Sequence, residues 1–156
     1  MSADGPTGRE RLAARQAELV ATLVSGASVP DGFDRRLVGV ARVALLNKRA
    51  GDVARHWPML VTSLGAGWRP TFHAWAAARP TNGSLRDGWD LGRELAADGR
   101  LAPAAAEELA VREASWRYDG ASAPARRRVP ALGRAGGALV LQVAGRVRLL
   151  RPGRRG

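Results

Sequence analysis

Aromatic and apolar residues recur at helical spacing in the middle of this chain, and this periodicity constrains the fold more than any other feature. Trp68, Phe72, Trp75 and Ala76 lie at positions i, i+4, i+7 and i+8, which places them on one face of a helix. A stripe of this kind is typical of a helix that packs against a core. The sequence therefore predicts an aromatic helix at the centre of a helical fold.

The same periodicity extends through the first 120 residues. It predicts helices over residues 9–24, 33–49, 59–64, 68–78, 87–97 and 103–118. Asp34 is the candidate N-terminal cap of the second helix, Gly51-Asp52 is expected to break or bend it, and Pro58 suits a first helical turn. One face of the second helix is expected to be directed at the core; its residues are Leu37, Ala41, Ala44, Leu45 and Lys48.

The character of the chain changes after Gly120. Residues 121–137 are rich in Ala, Pro, Gly and Arg and are predicted to be a linker or a poorly regular strand. Residues 138–143 and 146–151 read as two strands with alternating side chains. The predicted organisation is a helical domain over 1–120, a linker over 121–137, and a basic β-hairpin and tail over 138–156. The predicted fold class is α+β and mainly α: a bundle of five or six helices with a small C-terminal β-hairpin or meander.

Large aromatic side chains are expected to fill most of the core. The residues concerned are Trp57, Trp68, Phe72, Trp75, Trp89 and Trp116. We expect Trp75→Ala to cost about 3–5 kcal/mol of stability if its indole is fully buried.

The positive charge belongs almost entirely to the C-terminal region. The whole chain has a formal net charge of +11, and residues 123–156 contain nine arginines and no acidic residue. Lys48 is the single lysine, a bias that suggests a GC-rich genome. Two interpretations stay open: solubility and codon usage, or recognition of an acidic partner, either peptide or nucleic acid.

Composition excludes several classes of protein. The chain has no cysteine, so disulfides, thiolate metal sites and thiol catalysis are excluded. No apolar run approaches the roughly 18 residues that span a bilayer, and the first 20 residues lack the order of a secretory signal. We therefore expect a cytoplasmic protein with no membrane association.

Motifs for catalysis are lacking, so the prediction is a protein without catalytic residues, metal or cofactor. His56 and His73 are the only histidines, whereas a protein metal site usually has three or four ligands. Glu113 lies on an otherwise apolar helix face and needs a partner. We predict a structural ion pair with Lys48 or Arg49.

Nucleic-acid binding is the main alternative from the residues alone. The Arg126-Arg127-Arg128 run and the arginines of the second strand suit phosphate contacts. The helical part is nearly neutral, however, and none of its helices shows a basic stripe suited to a groove. Arginine on an exposed strand also protects a sheet edge from aggregation. The alternative function is therefore a DNA- or RNA-binding protein that uses the Arg-rich C-terminal region.

A series of spaced motifs over residues 37–118 carries a family resemblance. The motifs are Lys48-Arg49, Trp57-Pro58, Leu64-Gly65, the aromatic helix, Arg79-Pro80, Asp87-Gly88-Trp89 and the acidic stretch that ends at Glu113. The chain resembles the helical domain of the HvfC/BufC-type proteins, long labelled a putative DNA-binding family, in a divergent actinobacterial branch.

The resemblance implies a companion role in the biosynthesis of ribosomally made peptides. Such proteins hold a precursor peptide and dock it on a multinuclear non-haem iron oxidase, which performs the chemistry. From the residues themselves, we predict that the strand containing Arg146, Val147, Arg148 and Leu149 binds the peptide or partner. A plain capping hairpin is the structural alternative for these four residues.

Overall fold

The structure, a computed structural model, describes residues 7–128, 130–135, 138–143 and 146–150. Six α-helices and five β-strands lie in these residues. The helices are α1 (Gly8–Ser25), α2 (Arg35–His56), α3 (Pro58–Leu64), α4 (Trp68–Ala76), α5 (Ser84–Ala97) and α6 (Pro103–Ser115), with a 3-10 turn at Gly65–Gly67. The strands are β1 (Trp116–Arg117), β2 (Ala125–Arg126), β3 (Ala131–Ala135), β4 (Ala138–Val143) and β5 (Arg146–Leu150). The predicted α+β class, a helical bundle with a small C-terminal meander, is confirmed.

Local sequence signals set the helix ends. The side chain of Thr7 accepts a hydrogen bond from the Glu10 amide, and the Glu10 carboxylate accepts from the Thr7 amide, which forms a capping box at α1. Asp34 caps α2 as predicted, because its Oδ1 accepts from the amide of Arg36 at 2.8 Å. Pro58 occupies the first turn of α3. None of the described helices is both long and apolar enough to cross a bilayer.

The chain divides into two compact units. Unit 1 contains residues 1–50 and 69–81, and unit 2 contains residues 51–68 and 82–156. The chain crosses from one unit to the other after residues 50, 68 and 81.

Unit 1 combines the first part of α2 with α4. Phe72 and Ala76 of α4 are buried, as are Val38 and Ala50 of α2. The Arg42 guanidinium donates to the carbonyl oxygen of residue 77 at 2.6 Å. The aromatic helix is therefore packed as its periodicity predicted, although Trp75 is only half-buried.

The core of unit 2 is built on aromatic rings. Trp57 and Trp89 are both buried and meet edge to face, with ring centroids 5.9 Å apart and planes at 68°. The ring of Tyr118 lies 5.0 Å from that of Trp89. Leu60 and Leu91 are buried beside them. Because T-shaped pairs place a positive ring edge against a negative face, this geometry adds to the burial of apolar surface.

A three-stranded antiparallel meander, ordered β3-β4-β5, packs on α6. Val140 of β4 is buried against Ala110 and Ala114 of α6. Residues 121–137 were predicted to be a linker or a poorly regular strand; the structure has strands β2 and β3 in that segment, so the linker is wrong there. The chain also leaves α6 at Trp116 rather than at residue 118, and β1 pairs with β2 there.

The second helix differs from its prediction in two respects. It runs without interruption through Gly51-Asp52 to His56. The face predicted to be directed at the core is exposed: Leu37 is 66% exposed, while its neighbour Val38 is 7% exposed and packed. The physical reason is that α2 is aliphatic on both sides, so that periodicity alone did not identify the buried side.

Candidate functional site

Strand β5 contains the four predicted binding residues and ends the meander. Within the described part of the sheet, β4 is its neighbour on one side and its other edge is unpaired. Arg146 and Arg148 are exposed, whereas Val147 and Leu149 are half-buried and pack against α6 and Val140. Side chains therefore alternate between a basic outer face and an apolar inner face, as strand geometry requires.

A groove of about 540 Å³ borders the inner face of β5. Its apolar lining includes Met59 of α3, Val111 of α6, Trp116 and Leu149. Met59 is 41% exposed, while its neighbour Leu60 is buried. Leu149 belongs both to this groove and to β5, so the groove and the strand form one continuous surface.

Two charged residues of the groove are engaged in structural bonds. Glu108 Oε2 accepts from the amide of Leu60 at 2.9 Å, which satisfies a backbone donor in the first turn of α3. Arg112 donates to the carbonyl of His56 and lies over the ring of Trp57, with its Cζ 4.4 Å from the centroid. Burial lowers the pKa of Arg112. These contacts hold α3 against α6 and engage Glu108 and Arg112 in bonds within the fold.

The Arg126-Arg127-Arg128 run packs against the end of α6. Arg126 lies over the ring of Trp116, with its Cζ 5.0 Å from the centroid. Arg127 Nε donates to the carbonyls of Glu113 at 2.9 Å and Trp116 at 3.1 Å. Arg127 thus satisfies backbone acceptors at the helix end. Two of the three arginines in the proposed phosphate-binding run have structural partners within the chain.

Glu113 is paired, but with a different residue from those predicted. Its Oε1 accepts from Arg93 Nε at 2.6 Å and from the Trp89 indole Nε1 at 2.7 Å. The hydrogen bond to Glu113 raises the pKa of Arg93. Arg93 also donates to the carbonyl of Tyr118 at 2.8 Å. This arrangement ties α5, α6 and the following turn together and corrects the prediction of Lys48 or Arg49 as the partner.

Arg49 has a separate structural role in unit 1. Its guanidinium donates to the carbonyls of Arg79 at 2.7 Å and Pro80 at 3.2 Å. Its Cζ lies 5.7 Å from the ring centroid of Phe72 and 5.8 Å from that of Trp75. Arg49 therefore fixes the loop after α4 against α2, and Lys48 beside it is exposed.

Tyr118 and Asp90 form a buried hydrogen-bonded pair that sequence reasoning missed. The Tyr118 hydroxyl donates to Asp90 Oδ2 at 2.9 Å and accepts from Asn82 Nδ2 at 3.2 Å. Burial, followed by the hydrogen bond to Asp90, raises the pKa of Tyr118 to about 12. Burial also raises the pKa of Asp90, against the opposing effects of Tyr118 and Arg93. The ring of Tyr118 packs on Trp89, so the pair holds the segment after β1 against α5.

The described residues contain no cluster of three or more His, Asp or Glu side chains suited to a metal ion. His56 is exposed, and its carbonyl oxygen accepts from Arg112. The surface formed by β5 and its groove is therefore the candidate functional site.

Comparison with known proteins identifies related sequences for the helical part. Residues 13–97 match the model of a family described as SCO6045-like, C-terminal domain. A UPF0276 protein of Streptomyces avermitilis is 44% identical over 93 residues, which are 59% of this chain and 19% of that relative. The chain thus spans about a fifth of the length of the curated relative that it matches. No solved structure matches the chain. The family match includes α2 to α5 and most of α1, whereas α6 and the meander lie beyond it.

Proposed function

Because the chain belongs to the SCO6045-like C-terminal domain family, we propose that it is a non-catalytic partner module that binds a peptide and presents it to an enzyme. The family description names a domain of longer proteins, and the relative from Streptomyces avermitilis is about five times as long as the matched segment. Related domains therefore occur joined to a larger polypeptide, which supports a role beside another folded protein.

The edge of β5 is the observation that carries the proposal. An edge strand presents unpaired backbone N–H and C=O groups that accept a further strand. Such groups bind the backbone of an extended peptide, whatever its side chains. The peptide in this proposal is a ribosomally made precursor, and the enzyme is a multinuclear non-haem iron oxidase.

The alternation along β5 determines which peptide suits this edge. Side chains of an added strand lie on the same two faces as those of β5. Residues beside Arg146 and Arg148 are favoured when acidic, because opposite charges across a strand pair attract. Residues beside Val147 and Leu149 are favoured when aliphatic, since that face borders the apolar groove. The preferred ligand is an extended peptide in which acidic and aliphatic residues alternate.

Fluorescence anisotropy with a labelled eight-residue peptide of alternating Val and Glu tests this proposal. We expect the double variant R146E/R148E to weaken the affinity at least tenfold, because two attractive pairs become repulsive. The matched control is R9E/R11E, which makes the same charge change on exposed positions of α1 and should bind like the wild type. Equal losses in both variants would assign the binding to net charge alone.

Backbone methylation of the peptide tests the strand-addition mode separately. Two peptides are needed, each N-methylated at alternate residues, one in each register. Only one register directs the methylated nitrogens at β5, so one peptide should lose binding and the other should retain it. If both methylated peptides bind, or if neither binds, the result would contradict strand addition.

The enzyme half of the proposal is tested by co-purification with an oxidase encoded beside this chain. We expect a stable complex that also retains the precursor peptide. Nucleic-acid binding predicts a different result: tight binding to arbitrary duplexes that falls steeply as salt rises. Such a result, without peptide or oxidase binding, would replace the proposed function by the alternative.

A further inference from the structure

Helix α2 exposes a second aliphatic face in unit 1. Leu37, Val40, Ala41 and Ala44 follow the spacing i, i+3, i+4 and i+7, and all four are exposed. Val40 is 63% exposed. We call these four residues the outer α2 stripe. A continuous aliphatic stripe at this spacing is the pattern by which one helix packs on another.

The stripe cannot be turned inwards by rotation of the helix. Val38 and Ala50 are buried on the opposite side. Arg42 and Arg49 on that side donate to the carbonyls of residues 77, 79 and 80. A rotation that buried Leu37 would break these hydrogen bonds and expose the packed side, so α2 presents the stripe outwards as part of its native arrangement.

Charge determines what kind of molecule covers the stripe. Residues 35–51 contain five basic side chains and no acidic one. Arg35 and Arg36 flank one end of the stripe, and Lys48 follows its other end; all three are exposed. A second copy of this chain with its α2 helix parallel would bring like charges together at both ends of the stripe. A covering surface with carboxylates at its rim meets no such repulsion.

We propose that the outer α2 stripe docks an amphipathic helix of a partner protein, with an aliphatic seam bordered by Asp and Glu. The stripe lies within residues 13–97, the part shared with the family, whereas β5 lies outside it. This inference rests on the proposed function in one respect: it assigns enzyme binding to the outer α2 stripe in unit 1, while peptide binding stays assigned to β5.

The test uses two synthetic helical peptides of 21 residues with leucine at heptad positions a and d. One peptide has glutamate at the flanking e and g positions, and the other has lysine there. Amide NMR spectra of the ¹⁵N-labelled protein report binding residue by residue. We expect the acidic peptide to shift signals along residues 35–48, and the basic peptide to bind at least tenfold more weakly.

Variant proteins make the assignment specific. L37D/V40D changes two exposed side chains and should weaken binding of the acidic peptide at least tenfold. L12D/V20D is the matched control, because Leu12 and Val20 on α1 are 58% and 57% exposed and lie outside the stripe. Equal binding by L37D/V40D and the wild type, or equal binding of the two peptides, would overturn the inference. So would sedimentation of a wild-type dimer that L37D/V40D dissociates, since this would assign the stripe to a second copy.

The two proposals fail in distinguishable ways. If the Val-Glu peptide binds at β5 and the acidic helix does not bind, only the inference about α2 is overturned. If the helix binds along residues 35–48 and the Val-Glu peptide does not, the peptide-binding role of β5 is overturned.

Discussion

A single methyl group at Gly88 should destabilise unit 2 even though alanine is the better helix former. Gly88 lies inside α5 and faces the indole of Trp57, such that a Cβ would be 2.8 Å from Trp57 Cγ and nearer still to adjacent ring atoms. The indole is 1% exposed, and its Nε1 donates to the carbonyl of Leu85 at 2.9 Å. Arg112 covers one ring face. The ring therefore has no direction in which to move without loss of contacts.

The opposing contributions to the free energy of unfolding differ enough to predict the sign. Replacement of Gly by Ala inside a helix ordinarily stabilises by about 1 kcal/mol. Overpacking of a core costs about 1–3 kcal/mol. Displacement of the indole would also leave its N–H buried without an acceptor, which costs about 1–3 kcal/mol. We expect G88A to lose about 1–5 kcal/mol net, against the 5–15 kcal/mol that is typical of a domain.

Gly92, one turn later in α5, offers the matched control. A Cβ there would lie 3.8 Å from Leu109 Cδ1, which is an ordinary van der Waals contact. G92A should therefore be stabilised by up to about 1 kcal/mol. Urea unfolding followed by circular dichroism and by tryptophan fluorescence measures both variants, with m-values unchanged. A G88A protein as stable as the wild type, beside a stabilised G92A, would refute the reasoning from the indole contact.

Three further predictions concern the packed residues. Glu113→Ala removes the acceptor of Arg93 and of a buried indole, so it should cost about 1–3 kcal/mol in denaturant unfolding, while Glu113→Gln, which keeps one oxygen, should cost less. Burial and a carboxylate raise the pKa of Tyr118 from 10.0 to about 12. The folded state therefore gains stability from the protonated hydroxyl below pH 10, and this stability is lost as the pH rises towards 12. Tyr118→Phe should flatten this decline in thermal melts. Phe72→Ala should cost about 3–5 kcal/mol of stability because Phe72 is fully buried. Trp75→Ala should cost less because Trp75 is half-buried. A larger loss in Trp75→Ala than in Phe72→Ala, measured by urea unfolding, would contradict the packing of α4.

Helix ends were predictable because their signals are local. Asp34 and Pro58 act within one or two turns of their own position, and each has the predicted capping or first-turn role in the structure. The expected break at Gly51-Asp52 was wrong, since a single glycine costs a helix only about 1 kcal/mol and tertiary packing on α2 outweighs it.

The buried side of a helix and the partner of a charged residue were harder to predict, because both depend on the rest of the fold. On α2, Val38 and Leu37 are adjacent aliphatics on different sides, and periodicity gives two faces without ranking them. Glu113 needed a partner, but its choice of Arg93 follows from the packing of α5 on α6. One signal was present: Trp89 and Arg93 are four residues apart on one face of α5.

The candidate site was only partly predictable. Alternation along β5 identified the exposed arginines and the inward Val147 and Leu149. The groove beside it was not foreseen, because Met59 and Trp116 come from distant parts of the sequence. Strand β3 was predicted only as an alternative to a linker, because alanine, glycine and arginine give a weak β signal.

The solitary lysine has a practical consequence. Carbodiimide joins primary amines to carboxylates with loss of water, and guanidinium groups do not take part. Of 25 basic residues only Lys48 has such an amine, and it follows the outer α2 stripe. Apart from the α-amino group, a zero-length adduct in which this chain supplies the amine and its partner the carboxylate would start from this one nitrogen. A peptide map of that class of adduct would report whether the partner's carboxylates had lain beside the outer α2 stripe.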